Sequence, residues 1–174
     1  MNKALFLDRD GVINKELNYL IDINQFIFFD DVFDVCRYFQ KQKYLIIIIT
    51  NQSGIARGYY SENDYQKLTT WMISEFTKNK IKINEVYHCP HHPDFSGMCN
   101  CRKPNIGMIL KAKNKFNLNL DNSILVGDKD SDIKAAINSG IGNKYLVSTG
   151  HKIVNSYNVK VINCLRELIK LKCY

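Results

Sequence analysis

Short, unbroken apolar runs alternate along this chain with longer stretches in which apolar residues recur at helical spacing. Residues 4–7 (ALFL) and 44–49 (YLIIII) are continuous and short, and the second is rich in isoleucine; both predict strands buried on two faces. Between them Val32, Val35, Cys36 and Phe39 mark one face of a helix. Ser61 is placed to cap a second helix striped by Tyr65, Leu68, Met72 and Phe76, and residues 85–89 read as a further strand. A third helix follows Pro104 and carries Ile106, Ile109, Leu110 and Phe116. A strand at 123–126, a helix at 131–139 closed by Gly140, a strand at 144–147, and a last strand and helix within 159–171 complete the series. The stretch STGHKIVNSYN (148–158) reads as a surface loop. Strands alternating with helices predict an α/β fold: a parallel sheet with helices on both faces, three layers deep, binding ligands beyond the carboxyl ends of its strands.

Length and composition narrow the class. At 174 residues the chain is expected to form one domain, 1–174, with a core large enough to need no disulfide staples. No cationic start precedes a long apolar stretch, and the longest apolar run falls far short of the ~18 residues of a membrane span. The expectation is a soluble, cytoplasmic protein with no membrane partner. A formal net charge of +7 favours an anionic ligand. Six cysteines without a secretion signal do not read as a disulfide framework, and three of them crowd into residues 89–101, which points to metal.

The polar segments that could carry chemistry all follow predicted strands. In FLDRDGVIN (6–14), Asp8 and Asp10 stand two residues apart and would project to the same side of an extended segment. Two carboxylates facing one space repel. A solvated turn relieves that, and so does a hard cation such as Mg2+, which leaves one carboxylate as a nucleophile and the other as acid and base. In TNQSGIARG (50–58), Thr50 offers a hydroxyl and the Ser53–Gly54 backbone can turn N–H groups toward an anion. GDKDSD (127–132) gathers Asp128, Lys129, Asp130 and Asp132 before a helix. Asp132 alone could be a helix cap, yet an acidic cluster at a second strand end is what a Mg2+ site shared with Asp8 requires. CRKP places Arg102 and Lys103 where they can neutralise phosphate oxygens. In CPHHPDFSGMCNC, Cys89, Cys99, Cys101 and one of His88, His91 or His92 match a closed zinc site of the Cys3His type. Such a site would fix the loop that places Arg102 and Lys103. Cys36 reads as core; Cys164 and Cys173 have no nearby partner in sequence.

Taken in order, FLDRDGVIN, TNQSGIARG, CNCRKP and VGDKDSDIKAA resemble the motifs of haloacid-dehalogenase (HAD) superfamily phosphatases over about residues 5–150. Within that superfamily they are most similar to the D-glycero-D-manno-heptose-1,7-bisphosphate phosphatases and the related histidinol-phosphate phosphatases. The resemblance implies a Rossmann-like, HAD-like fold with no cap domain. It implies Asp8 as nucleophile, Asp10 as general acid and base, and Thr50 and Lys103 as holders of the transferring phosphoryl group, with Arg102 and Lys129 in the same pocket. It also implies Mg2+ held by Asp8, Asp128 and the Asp10 backbone carbonyl, and structural Zn2+ on Cys89, His91, Cys99 and Cys101. Glu16, Leu17, Asn18 and Tyr19, together with Asn51, Gln52 and Ser53, are implied as substrate-binding.

Several activities remain open at this stage. A sugar bisphosphate offers a second anion for Arg102 or Arg57, whereas histidinol phosphate presents a cationic amine that suits Glu16. The short spacing from His91 to Cys99 resembles the histidinol type, but those enzymes are often fused to a second catalytic domain not seen in these residues. A polynucleotide 3′-phosphatase shares TNQ and a basic charge, and a catalytically idle zinc-bearing nucleic-acid module is the reading from outside enzymology. The expectation adopted is a monomeric phosphatase of a small phosphorylated sugar, with no nucleic-acid partner, releasing the C7 phosphate of heptose 1,7-bisphosphate on the way to activated heptose for a surface glycan such as lipopolysaccharide.

Overall fold

A computed structural model of the chain describes residues 1–154 and 156–172. Strands β1 (Lys3–Leu7), β2 (Tyr44–Asn51), β3 (Ile83–Cys89), β4 (Ile124–Gly127), β5 (Asn143–Val147) and β6 (Lys160–Ile162) form one sheet in the order β3-β2-β1-β4-β5-β6. All its pairings are parallel. The helices are α1 (Val32–Lys41), α2 (Glu62–Lys78), the single turn α3 (Pro93–Ser96), α4 (Gly107–Phe116), α5 (Asp130–Ser139) and α6 (Glu167–Lys172).

The apolar runs form buried strands because both of their faces are covered. Leu5, Leu7, Ile46, Ile48 and Val126 meet Val35 and Phe39 of α1, Met72 and Phe76 of α2 and Leu168 of α6. Their alternates Ala4, Phe6, Ile47, Ile49 and Leu125 turn to Ile109 of α4 and Ala135 and Ala136 of α5 on the opposite face. Ser61 caps α2 as expected: its hydroxyl accepts from the Asp64 N–H at 3.1 Å, and the Asp64 carboxylate accepts from the Ser61 N–H at 3.0 Å. Gly140 closes α5 in the left-handed conformation. Nothing is inserted as a cap after β1; the segment between β1 and α1 holds only a 3₁₀ turn, Ile23–Gln25.

Three details depart from the sequence pattern. Leu110 is 40% exposed, because the inner arc of α4 is taken by Met108, Ile109 and Ala112, and Ile106 is the residue before the helix rather than part of it. The cysteine-rich loop has one turn of helix of its own, α3, opened by Pro93. The 148–158 loop is not simply a surface excursion: the Thr149 hydroxyl donates to the Gly11 carbonyl at 2.7 Å, folding the chain back over the end of β1. Cys173 lies outside the described residues. No helix among the described residues is long and apolar enough to cross a membrane.

β1 sits at the switch of strand order, with β2 on one side and β4 on the other. The crevice beyond the carboxyl ends of these three strands is where an open parallel sheet binds its ligands.

Candidate active site

Asp8 follows β1, its N–H bonded to the Val126 carbonyl at 3.1 Å, and the chain then turns so that the Ile13 N–H reaches the Arg9 carbonyl at 2.8 Å. Gly11 makes the turn possible. It has φ +82°, and a side chain there would strike the Asp128 carboxylate. The turn sends Asp10 into a cage: Arg9 donates to both its oxygens at 2.8–3.1 Å, Asn14 Nδ2 donates at 3.0 Å and Gln52 Nε2 at 3.0 Å. Burial pushes the Asp10 carboxyl up, but the Arg9 charge and these hydrogen bonds outweigh it and hold the group below the usual carboxylate range. Arg9 is itself buried, at 1% exposure. It is a clamp on Asp10, a role the motif alone did not assign.

Asp8 faces Lys103. The buried ammonium lies 3.0 Å from Asp8 Oδ1 and 2.6 Å from Asp132 Oδ1, and it donates to the Ile49 carbonyl at 2.7 Å. Burial pushes Asp8 up to about 6 against the pull of Lys103. Burial would lower Lys103, yet Asp132 and Asp8 together hold it above its ordinary value. Asp132 proves to be both cap and site residue, since its Oδ2 accepts from the Lys129 N–H at 3.1 Å while Oδ1 faces Lys103.

Asp128 completes the group. Its Oδ2 accepts from the His151 N–H at 3.0 Å and lies 2.6 Å from His151 Nδ1, whereas the buried Oδ1 has no partner. Burial and the neighbouring Asp8 raise its pKa, with His151 opposing. Carboxylate oxygens of Asp8, Asp128 and Asp132 lie within 4.8 Å of one another, with Lys103 as the adjacent cation. An unsatisfied buried oxygen in an all-oxygen set fits a hard divalent cation. The Asp10 carboxylate is turned away to Arg9 and is not part of that set.

The resulting cleft, of roughly 320 Å3, is lined by Asp8, Asp10, Glu16, Asn18, Tyr19, Thr50, Asn51, Gln52, Ser53, Arg102, Lys103 and Lys129, all anticipated from sequence. Asp128, anticipated as a Mg2+ ligand, is buried and not among the lining residues, and of the anticipated substrate-binding residues Leu17 is the exception. It is 46% exposed and does not line the cleft, because successive residues of an irregular segment cannot all face one way. The Asn51 side chain clasps the Lys103 backbone, Nδ2 donating to its carbonyl at 3.1 Å and Oδ1 accepting from its N–H at 3.0 Å, tying β2 to the CRKP loop. Tyr60, Ser131 and His151, which had no place in the sequence reading, also line the cleft, as does His92, there weighed only as a zinc ligand. Arg57, anticipated only as an anion contact, lines it beside His92, with Nη2 2.8 Å from His92 Nε2.

The cysteine loop gathers Cys89, His91, Cys99 and Cys101 into one cluster of potential ligands. Sulfur–sulfur separations are 3.6, 3.5 and 2.9 Å, and His91 Nδ1 lies 3.7 and 3.4 Å from Cys89 and Cys101. A tetrahedral ion with metal–sulfur arms of about 2.3 Å has edges of about 3.8 Å, so four of these five separations, the Cys89–Cys101 edge excepted, fall close to those of a closed tetrahedral site. Of the three histidines only His91 belongs: His88 Nε2 lies 2.9 Å from Glu62, and His92 pairs with Arg57. The Arg102 N–H points to Cys99 Sγ at 3.4 Å and its guanidinium donates to the His91 carbonyl at 3.2 Å, joining the cluster to the cleft.

Known proteins agree with this architecture. The HAD-hydrolase-like family model matches residues 100–158. The D-glycero-alpha-D-manno-heptose-1,7-bisphosphate 7-phosphatase of Campylobacter jejuni is 53% identical over 150 residues, covering 86% of this chain and 85% of that protein. The D-glycero-beta-D-manno-heptose-1,7-bisphosphate 7-phosphatase of Escherichia coli K12 is 41% identical over 155 residues, covering 86% and 81%. A crystal structure of a D,D-heptose 1,7-bisphosphate phosphatase from B. bronchiseptica, complexed with magnesium and phosphate, shares the fold with a TM-score of 0.86 at 24% identity, covering 98% of each chain. This chain belongs to the D-glycero-D-manno-heptose-1,7-bisphosphate 7-phosphatase family of HAD-like hydrolases.

Proposed function

We propose that this protein is a magnesium-dependent phosphatase that removes the C7 phosphate of D-glycero-D-manno-heptose 1,7-bisphosphate through a phosphoryl group carried on Asp8. The observation that carries the reading is the meeting of Asp8, Lys103 and the half-satisfied Asp128 in one buried cluster beside the cleft. The names of the close relatives carry the substrate and do not favour histidinol phosphate.

A phosphate monoester is dianionic, so a carboxylate approaches it only where positive charge and donors screen the repulsion. Lys103 and the Thr50 hydroxyl supply that screening from the protein. Asp8, Asp128 and the Asp10 backbone carbonyl would hold Mg2+, which when bound adds charge against the phosphoryl oxygens. An Asp8 oxygen forms a bond to phosphorus as the bond from phosphorus to the sugar oxygen breaks, and Asp10 gives that oxygen a proton. Asp10 then takes a proton from water as the water oxygen bonds to phosphorus and the bond to Asp8 breaks, releasing inorganic phosphate. Glu16, Asn18, Tyr19, Asn51, Gln52, Ser53, Arg102 and Lys129 grip the remainder of the substrate.

In this reading Cys89, His91, Cys99 and Cys101 hold a structural Zn2+, residues 1–174 are one domain, and the protein acts as a cytoplasmic monomer in heptose activation for a surface glycan. The test is phosphate release from heptose 1,7-bisphosphate, histidinol phosphate and a 3′-phosphorylated oligonucleotide. The highest kcat/KM is expected on the heptose; a preference for either of the others overturns the substrate assignment.

A further inference from the structure

Gln52 occupies an unusual position in the cleft. Its side chain is buried, and its amide nitrogen bridges two parts of the machinery, donating to Thr50 Oγ1 at 2.8 Å and to Asp10 Oδ2 at 3.0 Å. An amide is nearly symmetric in shape but not in charge. Turned over, the same side chain would set its carbonyl oxygen against the Asp10 carboxylate and would offer Asp10 no donor. What marks the correct face is Tyr60, whose hydroxyl donates to Gln52 Oε1 at 2.6 Å in a buried contact. Burial pushes the Tyr60 phenol up to about 12, so it remains a donor.

The surrounding chain is shaped around this tyrosine. Tyr60 is 8% exposed and stands immediately before the Ser61 cap of α2, so the start of a well-capped helix fixes its backbone. Its ring lies against Gly54, where any side chain would collide with it. The glycine of the TNQSG segment thus leaves the space Tyr60 fills. The Gln52 backbone is pinned as well, with its N–H donating to the Cys89 carbonyl at 2.8 Å. Backbone fixed and Oε1 fixed, the amide has one orientation left.

The geometry points to Tyr60 as a positioning residue: through Gln52 it aims the Asp10 carboxyl, and holds it in register with Thr50, for proton delivery to the leaving oxygen. The inference rests on the reading of Asp10 as proton carrier. Arg9 and Asn14 also hold Asp10, so losing the Tyr60 hydroxyl should misalign the carboxyl rather than release it.

A purely structural role would slow every substrate alike, whereas an effect on proton delivery depends on the leaving group. Tyr60→Phe keeps the ring beside Gly54 and deletes only the hydroxyl. Its kcat/KM on heptose 1,7-bisphosphate, whose alkoxide leaving group needs a proton, should fall about tenfold, a fraction of the full worth of a general acid. With 4-nitrophenyl phosphate, whose leaving group needs no proton, the fall should be less than about twofold. Added to Gln52→Ala, the same change should cost nothing further, since the residue it acts through is gone. Equal losses on both substrates, or losses that multiply in the double variant, overturn the inference. So does a crystal structure of Tyr60→Phe in which Gln52 keeps both donor bonds, and that result stands apart from activity. Failure of the unmodified protein to hydrolyse heptose bisphosphate would count against the functional reading instead, and the variant's structure would still decide the role of Tyr60.

Discussion

The carboxylate cleft and the cysteine loop sit side by side, and they are held in opposite ways. In the cleft the anions are balanced from within the protein: Lys103 stands between Asp8, at the end of β1, and Asp132, in the first turn of α5, and Arg9 clamps Asp10. In the loop only Cys89 belongs to a strand; Cys99 and Cys101 are partly exposed on an irregular segment. The sheet builds the first region, whereas the second rests on one turn of helix and loop hydrogen bonds such as Arg102 to the His91 carbonyl and Asn105 to the Cys99 carbonyl. The two meet in sequence. Arg102 and Lys103 directly follow Cys101, and Asn51 clasps Lys103 to β2, so the loop that carries the Cys/His cluster delivers the cation on which the cleft depends.

The sharpest break falls on the cleft alone. Asp8→Asn should lower turnover by at least about 10⁴-fold while leaving the melting temperature and metal content of the loop intact, because Lys103 retains Asp132 and the Ile49 carbonyl. Residual activity of a few per cent would be incompatible with a nucleophilic Asp8. Lys103→Met should damage both chemistry and folding, since it strands two buried carboxylates: a stability loss of about 3–5 kcal/mol by urea titration without added magnesium, with activity down at least about 10³-fold. An unchanged urea midpoint would show that the ion pairs do not hold the cleft together. Cys99→Ser tests the link between the regions. Elemental analysis should find the loop metal lost, and activity should fall about tenfold through misplacement of Lys103, less than either cleft variant. Full zinc occupancy in that variant would disprove the ligand set. The smallest effect belongs to Leu17→Ala, which should change kcat/KM by less than about twofold because the residue is exposed and does not line the cleft.

What could be read from sequence follows the range of the interaction. The strands were legible because burial on both faces leaves runs such as residues 44–49 with no polar position, and α2 because Ser61 and Asp64 form a local capping pair. Three of the polar motifs were legible because each follows a strand end, and CNCRKP, on the loop between α3 and α4, because its cysteines stand at metal-ligand spacing. Arg9 was visible but its task was not, since only the turn at Gly11 brings its guanidinium back onto the adjacent Asp10. Tyr60 and His151 gave no signal. Their partners, Gln52 and Asp128, are reached through the packing against Gly54 and through the Thr149–Gly11 contact, neither of which has a sequence period. Leu17 and Leu110 show the converse failure, where a run of neighbours or a helical stripe was extended past the arc that the cleft or the core covers.

The central claim is that Asp8 carries the phosphoryl group. Mixing enzyme with heptose 1,7-bisphosphate and magnesium, quenching in acid within one turnover and mapping the digest by mass should place one phosphoryl group on the peptide containing Asp8, with the released sugar retaining its C1 phosphate. Rapid turnover with no phosphoryl group on that peptide, or with the group on a different residue, would contradict the account.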